Sequence, residues 1–146
     1  MTIPVRSAQE RRQEIQEKAK ALQIDEAYIS MLVDRFYGRI REHTDLGPIF
    51  DRVIADNWDI HLNRMKIFWG SVALNSGQYS GKPVPKHKAI NGLSEYHFDM
   101  WLKLFEETLK DTAPNAEIIP YFMERAERIA ESLKLAIFGL PELRPR

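Results

Sequence analysis

The chain has 146 residues, enough for one domain around a single core, and its lack of cysteine excludes disulfides, thiol nucleophiles and thiolate metal sites. Lys plus Arg and Asp plus Glu both number 21, so there is no net basic field to draw nucleic acid, and 44% hydrophobic with 29% charged residues reads as a globular chain. No apolar run reaches the roughly 18 residues of a spanning helix or resembles a signal segment, so no membrane partner is expected and the expected location is cytoplasmic.

From about Ser7 to Leu22 the chain is rich in Gln, Glu, Lys, Arg and Ala, which predicts a helix with a thin apolar face of Ile15, Ala19 and Leu22, peripheral to the core. Asp25 can cap a second helix in which Tyr28, Leu32, Phe36 and Ile40 recur every four residues. That helix should end before Gly47-Pro48, and Ile49 and Phe50 fall in a short turn. From about Ala55 to Asn75, Trp58, His61, Leu62, Met65, Phe68, Trp69 and Val72 keep helical spacing, the strongest periodic signal in the sequence.

Residues 76–86 turn to Gly, Ser, Tyr and Pro, and Pro83 with Pro85 leaves room only for a short helix around His87. Ser94 and Glu95 can begin a helix carrying Tyr96, Phe98, Trp101, Leu102, Phe105 and Leu109, which stops near Thr112 to Pro114. The last helix, roughly Glu117 to Phe138, ends at Gly139 with Pro141 just beyond. No strand pattern and no internal repeat is evident, so the expected class is all-α.

A helical bundle can be scaffold, sensor or enzyme, so its polar residues must decide. His61 lies on the apolar face of Trp58, Leu62, Met65 and Phe68, where it is either a satisfied core histidine or a ligand. His87 sits in a stiff Pro-flanked segment that could aim it into a cavity, although a surface loop histidine looks the same in sequence. Tyr37, beside Phe36, would be a buried phenol in search of a hydrogen bond, and Trp101 fits plain core filling. No Glu-x-x-His pair, His-Glu-x-x-His run or glycine-rich phosphate loop is present. His43 falls at a helix C-terminus, where a protonated imidazole would complement the dipole, and His97 reads as structural or solvent-facing.

The order and spacing of several segments resemble the truncated haemoglobins, and within them the third group. These segments are Phe36-Tyr37, Asp45 through Phe50, Trp58 with His61, Phe68-Trp69, Tyr79 through Pro83, His87, and Phe98 through Glu106. The paired glycines of other truncated globins are missing, as they are in that group. The resemblance covers about residues 25–138, which implies an N-terminal helical extension over 1–24 and a truncated globin domain over 25–146. It implies a two-over-two helical sandwich around haem b, with His87 as proximal iron ligand and with Tyr37, His61, Trp101 and Met65 on the distal side.

In the same reading Phe50 and Phe68 wall the ring, while Arg64 and Lys86, with Tyr79, meet its propionates. Core packing and solvated surface account for those residues as well. The implied function is binding of dioxygen, carbon monoxide or nitric oxide at a His-ligated iron, for redox chemistry or sensing rather than bulk transport, with a reductase as a further partner. Turnover as a dioxygenase or weak peroxidase stays open. The alternative is a haem-free globin-like or four-helix interaction module whose aromatic stripes bury against each other or a partner.

Overall fold

The computed structural model describes residues 7–75, 87, 90, 92–140 and 142. Six helices account for the described elements: α1 (Ala8–Ala21), α2 (Glu26–Glu42), α3 (Leu46–Ile54), α4 (Trp58–Leu74), α5 (Glu95–Thr112) and α6 (Ile118–Phe138), with no strand among the described residues.

Local chemistry sets several of the boundaries. Ser7 Oγ accepts the N–H of Glu10 to open α1, and Asp25 Oδ1 accepts the N–H of Tyr28 at 2.7 Å to open α2. Ser94 and His97 form a reciprocal capping box at the start of α5. At the far end of α6, Gly139 adopts φ 82°, a left-handed conformation that costs an L side chain strain, and its N–H closes on Leu135 O at 3.0 Å.

Residues 46–54 correct the sequence expectation of a short turn, because they form a full helix. Pro48 is the third residue of α3, where the backbone N–H has no intrahelical partner to lose. The cap also differs from expectation. His43 follows α2, yet its Nδ1 accepts the N–H groups of Asp45 and Leu46 at 3.1 Å each, so the ring serves the N-terminus of α3 as an acceptor. Gly47 lies so close beneath the end of α2 that a Cβ there would stand 2.7 Å from Arg41 O.

Helix α2 runs through the middle, packing on α3, α4 and α5, while α5 packs along α6. The pairs α2/α4 and α5/α6 are therefore the two layers of a two-over-two sandwich. Trp69 of α4 stacks on Phe105 of α5 with centroids 4.8 Å apart, and Phe36 of α2 meets the same ring edge-on at 4.9 Å. All three side chains are fully buried, each contributing roughly 1.5–3 kcal/mol of hydrophobic stabilisation. Tyr121 of α6 donates its hydroxyl to Ala73 O at 2.7 Å and so fastens α6 to α4. Helix α1 docks on α4 and, with Leu22 just past its end, places Ala19 in the main core, which corrects the sequence expectation of a peripheral segment.

Candidate functional site

Tyr37 stands on the inward face of α2, within the buried run Leu32, Val33, Phe36, Tyr37 and Ile40. Burial pushes its phenol well above the ordinary value of 10.0, because a phenolate there would lose its hydration. The hydroxyl therefore stays protonated and remains a donor through the neutral range. Its ring meets His61 of α4 edge to face, with centroids 5.0 Å apart and planes at 83°, and meets Phe50 of α3 at 5.9 Å. Three helices thus converge on one phenol.

His61 is half-buried, and its Nε2 atom is shielded from solvent. Trp101 of α5 is also half-buried. It reaches the same region through Phe36, whose ring lies 5.5 Å away, and it stacks on Phe105 with planes only 10° apart. Tyr37, His61 and Trp101 come from three different helices, and Phe36 and Tyr37, adjacent in sequence, join the contacts into one chain of rings.

The apolar side chains around this group are covered unevenly. Phe50, Leu62, Met65, Phe68, Trp101 and Leu102 pack against the main core yet each stays partly exposed. A second, smaller cluster of Phe98, Ala130 and Leu133 joins α5 to α6, with Leu102 and Ile129 packing against both clusters. Inward-facing apolar residues left half-covered beside two donor side chains and an imidazole suit a largely apolar, flat group that carries a polar centre. The residues present fit a haem on that ground.

The other expected residues are placed less tightly. His87 is half-buried and helical, and its carbonyl accepts the N–H of Ile90 at 3.1 Å. Arg64 lies on the exposed face of α4. Tyr79, Lys86 and the rest of the expected short helix around His87 lie outside the described residues.

Sequence reasoning missed Asp51 and Arg41. Asp51 Oδ1 accepts the indole N–H of Trp58 at 3.2 Å, and the Arg41 guanidinium lies 4.4 Å from the same ring's centroid. No periodic signal marks either residue, since both sit on polar helix faces and act across a helix junction. Among the described residues no cluster of His, Cys, Asp and Glu could hold a bare metal ion, and no helix is long and apolar enough to cross a membrane.

No protein-family model matches the chain. It is 33% identical over 118 residues to a group 3 truncated hemoglobin of Campylobacter jejuni, covering 79% of this chain and 92% of that protein. The crystal structure of a group III truncated hemoglobin from Campylobacter jejuni superposes with a TM-score of 0.74 at 33% identity, over 79% of this chain and 92% of that one. Sequence identity across nearly the whole of a relative, carried on the same helical sandwich, establishes that the chain belongs to the group 3 truncated haemoglobins.

Proposed function

We propose that this chain binds haem b and takes a diatomic gas at its iron, with His87 as the proximal ligand. The observation that carries this reading is the direct contact of the Tyr37 and His61 rings, with Trp101 joined to Tyr37 through Phe36, beside apolar side chains that the protein leaves half-covered. When bound, haem supplies reversible ligation of the gas.

The chain's own residues supply the rest. Tyr37 offers an O–H that burial keeps protonated, Trp101 an indole N–H, and His61 a donor or an acceptor according to its tautomer. Phe50, Met65 and Phe68 supply apolar bulk that excludes water, while Arg64, Lys86 and Tyr79 are proposed to meet the propionates. A charge-assisted hydrogen bond contributes roughly 1.5–3 kcal/mol, and about 1.4 kcal/mol is tenfold in an equilibrium constant. Two such donors favour slow release of the gas, which suits sensing or redox use with a reductase better than bulk delivery.

Between Asp59 and Glu95 the chain has no acidic residue, so His87 has no carboxylate neighbour in sequence to strengthen it as peroxidase-type iron sites require. Ligand binding is therefore proposed ahead of peroxidase turnover. The pyridine hemochrome assay on the purified protein tests the cofactor, with one haem b per chain expected. His87→Ala should abolish or greatly weaken coordination. Full occupancy with an unchanged ferrous spectrum in that variant would assign the ligand elsewhere, and a colourless parent protein that cannot be loaded with haem would overturn the reading.

A further inference from the structure

The rings of Tyr37, Trp58 and His61 form a closed triangle, each edge-on to the other two. Centroids are 6.2 Å apart for Tyr37 and Trp58, 5.9 Å for Trp58 and His61, and 5.0 Å for Tyr37 and His61. Trp58 opens α4 one turn before His61, so its orientation is passed directly to the imidazole.

What orients Trp58 comes from outside α4. Its Nε1–H points at Asp51 Oδ1 of α3 at 3.2 Å, the Arg41 guanidinium of α2 covers the ring at 4.4 Å, and Arg41 Nε stands 3.9 Å from the same Asp51 oxygen. An indole carries its only polar donor on one edge, so a hydrogen bond there fixes the rotation of the ring in a way that apolar packing does not. The cation over the face fixes its tilt. The Arg41 and Asp51 side chains are 51% and 54% exposed, so their ion pair adds little to stability, and what the arrangement supplies is direction.

We propose that Asp51, assisted by Arg41, is a positioning residue for the gas-ligand side of the site, acting through the indole of Trp58 on the rings of Tyr37 and His61. The proposal rests on the haem-binding reading for its functional consequence, while the positioning itself is a property of the polypeptide.

The test compares Asp51→Ala, which removes the acceptor, with Asp51→Asn, which keeps the Oδ1 acceptor and removes the charge. Nuclear magnetic resonance of the protein before haem is added reads hydrogen exchange at the Trp58 indole N–H and the line widths of the His61 ring. Asp51→Ala should speed exchange by about tenfold, the factor expected for one hydrogen bond, and broaden the His61 signals. Asp51→Asn should restore both. After haem is added, the carbon monoxide stretching band should split or broaden in Asp51→Ala and stay single in Asp51→Asn.

Unchanged indole exchange and His61 line widths in Asp51→Ala would overturn the proposal, as would failure of Asp51→Asn to restore them. If Asp51→Ala does not fold, Trp58→Phe keeps an aromatic ring without the donor and should broaden His61 in the same way, with sharp signals overturning the proposal. Failure to take up haem, with the expected resonance changes still present, would sink the haem reading and leave the positioning intact.

Discussion

The side-chain amide of Asn115 donates to the carbonyl oxygen of Leu22 at 2.7 Å, tying the α5–α6 connection to the end of α1. That carbonyl is one of the last in its helix and would otherwise look to water. Truncation to Gln23 would remove this acceptor together with the buried Ala19 and Leu22. The expected cost is roughly 2–5 kcal/mol, the range for deleting large core side chains, read as a lower urea midpoint. A truncated protein with the parent's midpoint would show that α1 contributes nothing to the core.

Tyr37→Phe keeps the ring contacts with His61, Phe50 and Trp58 and removes only the hydroxyl. Under the proposed function the dioxygen dissociation rate should rise of order ten- to a hundredfold, the equivalent of roughly 1.5–3 kcal/mol. Trp101→Phe should act in the same direction, and carbon monoxide, which gathers less charge when bound, should respond less. Stopped-flow ligand replacement measures both gases. If neither variant releases dioxygen faster, these donors do not hold the ligand.

Alkaline stability follows from the same phenol. Tyr37 has a folded-state pKa raised above its ordinary 10.0 by burial, so the folded chain holds this proton more tightly than the unfolded one. Its stabilising contribution is fully present below about pH 10 and is lost as the pH climbs from there towards the folded value. Burial also raises Tyr28 and Tyr121, which adds to the loss. Urea unfolding at pH 8 and above pH 10 should therefore show a fall that is shallower in Tyr37→Phe. Equal slopes for parent and variant would contradict the burial argument.

Gly47→Ala should destabilise by about 1–3 kcal/mol, the usual cost of overpacking, because the new Cβ would meet a backbone oxygen, Arg41 O, rather than a side chain that can swing aside. His43→Ala should cost about 0.5–2 kcal/mol through loss of the α3 cap. Thermal unfolding followed by circular dichroism checks both. An unchanged midpoint in Gly47→Ala would mean that α2 and α3 can separate without penalty.

The sequence made α2, α5 and α6 legible because caps and apolar spacing agreed, and α4 legible from apolar spacing alone. Asp25, Ser94 and Gly139 each stand at the boundary their chemistry predicts. The turn assigned to Ile49 and Phe50 failed for an instructive reason. Pro48 and Pro120 each occupy the third position of a helix, but a long apolar pattern follows Pro120 whereas the helix that holds Pro48 has only nine residues in all, so the first looked like a breaker. Tyr37 and His61 were legible as inward-facing residues. Their meeting at 5.0 Å was not, because it depends on how α2 crosses α4, and helix periodicity carries no information about crossing. The Asp51–Trp58 contact was hidden in the same way by the α3–α4 junction, where Ala55 turns the chain at φ 53°.

The parallel rings of Trp69, Trp101 and Phe105 have an optical consequence. The chain has three tryptophans, Trp58 and Trp69 on α4 and Trp101 on α5, and Trp69 and Trp101 stack at 6.5 Å and 18° across the two layers. Indole emission is thus a local gauge of α4, α5 and the side chains around their indoles, whereas far-ultraviolet dichroism weighs every helix. Superimposable denaturation curves from the two signals would identify the whole sandwich as one cooperative unit. A far-ultraviolet change that precedes the indole change would reveal helices peeling away while the stacked rings still hold.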